Sequence, residues 1–308
     1  MSDVQPTPVA LLLSDVHWSD RTPSARRGER DWRAAQAHRI GLLYEWWDRT
    51  GQPPIFIAGD LFDRWNEPVG FVSYISTVLD RTFPDEPIFY SVAGNHDLPN
   101  HSIDRQEESA YHALHLMQPD RMYDLGTEGP ITVNGIDVTG YPWGAAPDKV
   151  EADGLSLAVV HRYAYSSDDN GGDIAPMDAA HSMSYGATVT HYGDNHIPWQ
   201  AKGICNPGSW DVRNKGDINA SAGGFGIMYS DGHTELTRLT DPLDVIKAPE
   251  TKTKAVVPSA TEVVSLLEAG VTSTGTISGD LMQYVRLAGA PDPVLDRVNK
   301  LLQEEAEQ

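Results

Sequence analysis

The chain has a single cysteine, Cys205, among its 308 residues. No intrachain disulfide can form, which is typical of proteins from a reducing compartment. Long apolar runs are also missing. The longest near the N-terminus, Val9 to Leu13, is far short of the roughly 20 residues that cross a membrane, and it lacks the basic flank and cleavage site of a secretory signal. The sequence therefore predicts a cytoplasmic protein without a membrane span.

Basic residues are few compared with acidic ones, at 23 against 44, so the formal net charge is −21. This balance disfavours a broad nucleic-acid-binding face, because such faces gain affinity from Lys and Arg that displace counterions. It does not exclude a nuclease, since bound divalent metals neutralise acidic clusters and a local basic strip acts against the average. One candidate strip comprises Arg21, Arg26, Arg27, Arg30 and Arg33. A solvated loop and helix face is the alternative.

The hydrophobic share of 40% and mean hydropathy of −0.38 are ordinary for a soluble globular protein. The length exceeds the usual domain size of roughly 100–150 residues. We predict a catalytic α/β domain over residues 1–240, a proline- and lysine-containing linker over 241–257, and a small helical segment over 258–308. The last segment contains short helix candidates at 262–269, 280–287 and 294–306 and too few large apolar residues for a core of its own.

Three continuous apolar runs predict buried strands, and each ends in polar residues of similar chemistry. Residues 9–13 precede Asp15 and His17, residues 55–58 precede Asp60, and residues 88–93 precede Asn95 and His96. Helical patterns separate them, one capped by Asp31 and running to about Thr50, the other from Val69 to Arg81. This βαβαβ arrangement brings the three strand ends to one edge of a sheet, where ligands bind in open α/β folds.

The second half of the domain reads as further strands. Residues 155–160 form a buried strand that ends at His161, and residues 187–190 lead to Asp194 and His196. Asn134-Gly135 and Asp231-Gly232 predict two hairpins. We also expect a helix from Ile103 to Met117, either packed on the core or forming a homodimer face, and a long loop over 164–185.

The strand-end residues together offer carboxylate, amide and imidazole groups without a thiolate. Such donors suit divalent ions of the Mn, Fe, Zn, Ni or Mg type and are poor for a structural zinc. A single histidine of this kind is more often structural, but five separate strand ends that carry such donors predict a metal site. The set is Asp15, His17, Asp60, Asn95, His96, His161, Asp194 and His196.

Five motifs in order resemble the calcineurin-like metallophosphoesterase superfamily over residues 9–240. They are Asp15-x-His17, Gly59-Asp60-x-x-Asp63, Gly94-Asn95-His96-Asp97, His161 and Gly193-Asp194-x-His196. The resemblance implies a four-layer αββα sandwich with two divalent metal ions, of which Mn is favoured. It also implies that Asp15, His17, Asp60 and His196 hold one ion, that Asp60, Asn95, His161 and Asp194 hold the other, and that Asp60 bridges them.

The implied chemistry is phosphodiester hydrolysis through in-line attack by a hydroxide held between the ions. By resemblance, His96 protonates the leaving oxygen and the Asp63 carboxylate orients His96. For Arg64 two interpretations stay open: it steadies the phosphate, or it faces solvent. Asp194 stands where the superfamily usually has histidine; an oxygen ligand there favours Mn or Mg, and a turn residue or an inactive site is the alternative.

The N-terminal arginines and the Gly59 and Gly94 motifs look most similar to SbcD/Mre11-type DNA-repair nucleases of bacteria and phages. That resemblance implies a DNA substrate and an SbcC/Rad50-like ATPase partner, with residues 258–308 as a reduced cap or partner-binding segment. A phosphatase or a small-molecule or cyclic-nucleotide phosphodiesterase is the first alternative. A non-catalytic scaffold is the second, although a scaffold has no chemical reason to keep Asn95 and His96.

Overall fold

The computed structural model describes residues 5–84, 88–145, 150–164, 185–220 and 223–239. The chain divides into two units, Met1–Pro249 and Glu250–Gln308, and the described residues all belong to the first. The predicted linker, the three C-terminal helix candidates and most of the predicted 164–185 loop lie outside the described residues.

Twelve strands and four α-helices lie in the described part of the chain. The strands β1 to β12 are Pro8–Leu13, Ile55–Ala58, Phe89–Val92, Met122–Asp124, Ile131–Val133, Ile136–Tyr141, Ser156–His161, Val189–Gly193, Trp199–Ala201, Ile204–Asn206, Gly224–Tyr229 and Thr234–Arg238. The helices α1 to α4 are Trp32–Arg49, Val69–Thr82, Ala110–Met117 and Lys215–Ala220.

The strands form two six-stranded mixed sheets. The first has the order β12-β11-β1-β2-β3-β4, in which β1 to β4 run parallel and β11 is antiparallel to both its neighbours. The second has the order β5-β6-β7-β8-β10-β9, with β6, β7, β8 and β10 parallel. The predicted βαβαβ unit is thus β1-α1-β2-α2-β3, and its strands are adjacent.

Apolar side chains on the two faces of the first sheet build two cores. One face packs against the helices through residues such as Ile40 of α1 and Phe71 and Ile75 of α2. The other face packs against the second sheet, where Leu12 and Phe56 join a cluster with residues of β7 and β8. Burial on both faces explains why these parallel strands read as continuous apolar runs. The predicted sandwich architecture is therefore confirmed.

Local signals mark the start of α1 and the turn between β5 and β6. The Asp31 carboxylate accepts a hydrogen bond from the Ala34 amide and begins α1, as predicted. In the β5–β6 hairpin, Asn134 and Gly135 adopt φ angles of 49° and 79°, the left-handed pair that a two-residue turn of this type requires.

The prediction of one helix from Ile103 to Met117 was wrong in its extent. Residues Ile103–Glu108 form 3-10 turns, and Ser109 in an extended conformation caps the separate helix α3. Within that shorter helix, Tyr111 and Leu114 are buried, whereas Leu116 is 68% exposed. Every helix among the described residues is too short or too polar to cross a membrane.

Candidate metal centre

The polar residues that follow β1, β2, β3, β7 and β8 meet at one rim where the two sheets adjoin. The Nδ1 of His161, at the end of β7, lies 2.7 Å from the Ala58 carbonyl oxygen at the end of β2. Glycines make this approach possible. A Cβ on Gly94 would lie 2.1 Å from Asp60 Oδ1, and one on Gly59 would lie 2.1 Å from His161 Nδ1.

The backbone at this rim is held in an unusual conformation. Asp15, His17 and Asp60 have φ angles of 48°, 51° and 52°, in the left-handed region that residues other than glycine seldom adopt. Hydrogen bonds between the two loops retain it, with the His17 amide donating to the Asp60 carbonyl at 2.8 Å. Strain of this kind costs about 1–3 kcal/mol per residue and is typical of functional sites.

The first group of candidate ligands comprises Asp15, His17 and His196, whose ligand atoms lie within 4.8 Å of one another. The Nε2 atoms of His17 and His196 face each other at 3.1 Å, and His196 Nε2 lies 3.9 Å from Asp15 Oδ1. Two imidazole nitrogens in this position can share a single cation.

The second group comprises Asp15, Asp60 and His161. His161 Nε2 lies 3.5 Å from Asp60 Oδ1 and 2.9 Å from the Asn95 side-chain oxygen. The other carboxylate oxygen of Asp60, Oδ2, lies 3.7 Å from His17 Nε2. The two oxygens of Asp60 therefore face different groups.

Neighbouring acceptors orient two of the imidazoles. His161 Nδ1 donates to the Ala58 carbonyl, because a carbonyl can only accept, and so its Nε2 is the nitrogen directed at Asp60 and Asn95. His196 Nδ1 lies 2.9 Å from Asp217 Oδ1, which leaves its Nε2 directed at the first group. Acceptors behind the distal nitrogen are the usual companions of metal-binding histidines.

The charges of the site shift its pKa values. Burial lowers the pKa of His196, but the hydrogen bond to Asp217 and the charge of Asp15 outweigh burial and raise the pKa to about 9. Burial raises the pKa of Asp60, and the nearby Asp15 carboxylate adds to the rise. Burial lowers the pKa of His17 well below its usual value, with the Arg213 charge acting in the same direction.

The donor set fits divalent cations. The Asp15 and Asp60 side chains are 0% and 2% exposed, and within the described residues neither forms an ion pair with lysine or arginine. Burial of unpaired carboxylates is costly unless a cation or a proton neutralises them. Oxygen and imidazole donors without thiolates match ions of the Mn, Mg, Fe or Zn type.

Asp194 contacts the site mainly through its backbone. Its amide donates to both carboxylate oxygens of Asp15, at 3.0 and 3.2 Å. Burial raises the pKa of its side chain, which also interacts with the charges of His161 and Asp15. Its carboxylate is absent from the two ligand groups described above, so its predicted role as a metal ligand remains a prediction.

His96 lies at the exposed side of the site. One of its ring nitrogens lies within 4.8 Å of a ligand atom of His17 and of Asp60. Its Nδ1 donates to the backbone carbonyl of Asp63 at 2.7 Å. This contact differs from the one that the resemblance implied, because the Asp63 carboxylate pairs instead with Arg213. Arg64 is 48% exposed, with its Nε 3.9 Å from Asp63 Oδ2.

Sequence reasoning missed the segment from Ser209 to Asp217, which supports the rim from below. The Ser209 hydroxyl and the Trp210 amide both donate to the Asp15 carbonyl. Asp211 is buried and pairs with Arg26 and Arg39. One local signal was available: Asn214 and Asp217 cap α4 reciprocally through each other's backbone amides, a spacing that marks helix starts.

Asp97 is also structural in its contacts. Its carboxylate accepts from the amides of Leu61, Phe62 and Gly94, and so it ties the β2 and β3 loops together. Burial and the charge of Asp60 raise its pKa to about 7.

The proposed basic strip is not continuous. Arg26 is 1% exposed and held by Asp211, and Arg33 pairs with Asp20. The sequence left two interpretations open for these arginines, a basic face and a solvated face. Arg26 fits neither, because its side chain is buried.

A rim of buried carboxylates and oriented imidazoles at the carboxyl ends of parallel strands defines a metal-dependent hydrolase. Residues 9–141, less than half of the chain, match the family model of the calcineurin-like phosphoesterases. The protein is thus a metal-dependent phosphoesterase. His161, Asp194 and His196 lie beyond the matched segment in sequence. In the fold they lie beside Asp15 and Asp60, which belong to that segment.

One solved structure that resembles the chain is a metallophosphoesterase from Sphaerobacter thermophilus, with 14% sequence identity and a TM-score of 0.36. The alignment covers 96% of this chain and 99% of the other. No curated protein matches the sequence.

Proposed function

We propose that the protein is a phosphodiesterase that uses two divalent cations. The observation that carries the proposal is the position of Asp60, whose Oδ1 faces His161 and whose Oδ2 faces His17. A carboxylate between two groups of ligands is the residue best suited to bind both ions. Asp15, His17 and His196 would complete one site, and Asn95 and His161 the other, with Asp194 as a further oxygen donor.

Bound cations supply positive charge for the phosphoryl oxygens and make an attacking water more acidic. The chain supplies the proton for the leaving oxygen. His96 uses Nδ1 to donate to the Asp63 carbonyl, so its Nε2 is the nitrogen available for proton transfer. Because the neutral ring carries its one proton on Nδ1, His96 must be an imidazolium to act as the general acid.

For the natural substrate we keep DNA cleavage of the SbcD/Mre11 type as the first candidate, on the motif resemblance. A small nucleotide diester is the second, and one observation favours it: burial of Arg26 removes a central member of the basic strip from a chain of net charge −21. Mn as the metal, an SbcC/Rad50-like ATPase as a partner, a homodimer and a cytoplasmic location remain expectations from the sequence.

The test is hydrolysis of dithymidine monophosphate, whose alkoxide leaving group needs a proton, by the metal-loaded protein and by its His96→Ala variant. Removal of a general acid costs about 10²- to 10⁴-fold in kcat. We expect that loss with an unchanged metal content, and no loss in His38→Ala, which removes an exposed imidazole from α1. Full activity in His96→Ala would rule out the proton-transfer role.

Metal counting tests the two-ion proposal directly. We expect two Mn ions per chain in the wild type and a loss of bound metal in Asp60→Asn. A parallel panel of a phosphomonoester, a cyclic nucleotide, a dinucleotide and duplex DNA under the same metal separates the candidate substrates. A chain that binds one ion and turns over only monoesters would contradict the proposal.

A further inference from the structure

A cleft of about 430 Å³ opens beside the metal centre and is formed by residues from the loops that follow β2 and β3. Its volume falls in the range of about 300–1,000 Å³ that is usual for small-molecule sites. Asn95 and His96 line one end of it, so the cleft begins where the candidate general acid lies.

The position of His96 indicates which part of a substrate enters the cleft. His96 lines the cleft and is also close to His17 and Asp60 of the metal centre. Since its Nδ1 is occupied by the Asp63 carbonyl, Nε2 is the nitrogen that can protonate a leaving oxygen. A group whose oxygen is protonated by His96 departs on the His96 side, which is the cleft.

The walls of the cleft offer an aromatic face over an apolar base. Trp65 is half-buried in the wall, and Leu98 is buried beneath. Within the described residues, the Trp65 indole stacks on no other ring and its N–H has no hydrogen-bond partner, although the backbone of Trp65 is anchored by the Ala110 amide. The ring is therefore available to a ligand.

Side chains with unused hydrogen-bonding groups complete the wall. Within the described part of the chain, Asn66 and Asn100 have no partner for their side-chain amides. His101 donates from Nδ1 to the Asn95 carbonyl at 2.9 Å, which leaves its Nε2 free. Asn100 and His101 both have left-handed φ angles, of 53° and 56°, a strained pair typical of functional loops.

We propose that this cleft binds a nucleoside as the leaving group of the hydrolysed phosphodiester. The base stacks on Trp65, and the paired donor and acceptor of Asn66 and Asn100 bind its edge, since an amide matches the alternating donors and acceptors of a base. The inference depends on the phosphodiesterase activity proposed above and adds the chemistry of the leaving group.

The balanced step is as follows for a diester of this kind. A water oxygen bonds to phosphorus, and the bond between phosphorus and the nucleoside oxygen breaks with its electron pair on that oxygen. The oxygen takes a proton from His96 Nε2, and the proton lost by the attacking water passes to solvent. The products are a free nucleoside hydroxyl and a phosphomonoester.

The methyl phosphodiester of thymidine is the probe, because it can be cleaved on either side of phosphorus. If the nucleoside leaves through the cleft, the products are thymidine and methyl phosphate; in the opposite orientation they are methanol and thymidine monophosphate. The ratio of the two product pairs does not depend on the fraction of folded enzyme.

We expect mainly thymidine and methyl phosphate from the wild type. Trp65→Ala should shift the ratio toward methanol and thymidine monophosphate, and should lower kcat/KM for the first product pair about 10- to 100-fold, the usual effect of a lost stacking residue. Trp65→Phe should restore the wild-type ratio, and the metal content should be unchanged in both variants. An identical ratio in wild type and Trp65→Ala would overturn the inference.

Two further outcomes separate this inference from the proposed function. If the wild type hydrolyses bis-p-nitrophenyl phosphate but releases mainly methanol from the probe, the phosphodiesterase proposal stands and the nucleoside cleft is wrong. If neither diester is cleaved, both are wrong. The nucleoside could belong to a DNA end or to a small diester, and a parallel assay of oligothymidylate and dithymidine monophosphate identifies the source.

Discussion

At the scale of single residues, the site depends on the acceptors behind its imidazoles, and the one carboxylate among them in the described part of the chain is Asp217 behind His196. Asp217 is 2% exposed and accepts both from His196 Nδ1 and from the amides of Arg213 and Asn214. It therefore fixes a candidate ligand and the start of α4 with the same side chain. The negative charge behind the ring also makes His196 a stronger base, as its raised pKa of about 9 reflects.

Replacement of Asp217 by Asn should weaken metal binding. The substitution keeps the shape but removes the charge behind His196, and losses of this kind typically cost 10- to 100-fold in affinity. Isothermal titration with Mn measures the change. Asp231→Asn is the matched control, because Asp231 forms a similar pair with His233 at the exposed surface. Equal losses in both variants would contradict the assignment.

Metal binding should release protons near neutral pH. The pKa of His196 is raised to about 9 without metal, so its ring is protonated at neutral pH and must lose that proton to bind a cation. Affinity should therefore rise with pH, by about tenfold per unit for each proton released, and level off above about pH 9.

Titrations in two buffers of different ionisation enthalpy count these protons. In Asp217→Asn the plateau should move to lower pH, since the hydrogen bond that raises the pKa of His196 is weakened. A proton count of zero in the wild type would show that the ring is neutral before the metal binds.

At the scale of elements, sequence reasoning succeeded where the signal was local. The strands β1, β2 and β3 are continuous apolar runs, and Asp31 marks the start of α1. It failed for residues 103–117, because the backbone departs from helix geometry at Arg105 and Ser109 then caps a new helix. The spacing of apolar residues alone does not reveal where a helix is interrupted.

The candidate ligands could be found from the sequence because each follows a strand. The ion pairs that hold the surrounding loops could not. Asp211 and Arg26 are 185 residues apart in sequence and meet only in the folded chain. The same holds for Arg213 and Asp63, which are separated by 150 residues. No short-range pattern records such pairs, so the Asp63 carboxylate was expected to contact His96 when its actual partner is Arg213.

The segment that carries Arg213 should influence catalysis through His96. Arg213→Met removes the partly buried partner of the Asp63 carboxylate, and with it one of the contacts that position the Asp63 carbonyl beside His96. We expect kcat to fall about tenfold or more, equivalent to at least about 1.4 kcal/mol of barrier, while metal content stays constant. Kinetics and metal analysis on the same preparation measure both.

Arg105→Met provides the control for that variant. Arg105 pairs with Glu108 on the exposed surface and, within the described residues, contacts no residue of the rim. It should have wild-type kcat. If Arg213→Met also loses metal, the segment supports the ligands rather than His96 alone.

At the scale of the whole molecule, charge opposes DNA binding. Arg26 and Arg33 are occupied by Asp211 and Asp20, so the exposed members of the strip are Arg21, Arg27 and Arg30. Three phosphate contacts would give a slope of roughly −2.7 for log binding constant against log salt concentration.

The combined variant Arg21→Ala, Arg27→Ala and Arg30→Ala tests whether these arginines contact DNA. If they do, duplex DNA binding should weaken and its salt slope should approach zero, while turnover of the thymidine methyl diester should not change. Fluorescence anisotropy over a salt series measures the slope. An unchanged slope would mean that DNA, if bound, contacts another surface.

Metal removal should destabilise the folded protein, and more so at higher pH. A ligand at 100 times its Kd stabilises the native state by about 2.7 kcal/mol per site, which for a domain of this size corresponds to roughly 5–10 °C in Tm. Without metal, protonation of Asp60 neutralises part of the buried negative charge, because burial raises the pKa of Asp60 in the fold. A raised folded-state pKa stabilises at low pH, and that contribution is lost as pH rises through it.

The gap in Tm between Mn-loaded and chelator-treated protein should therefore widen from mildly acidic to mildly alkaline pH. Asp60→Asn separates the two sources of neutralisation: it removes a buried charge, so its metal-free Tm should exceed that of the metal-free wild type at alkaline pH. The same variant should gain less from Mn, since the oxygen that faces both ligand groups is no longer charged. A wild-type gap that stays constant with pH would mean that protons do not neutralise the buried carboxylates in the metal-free protein.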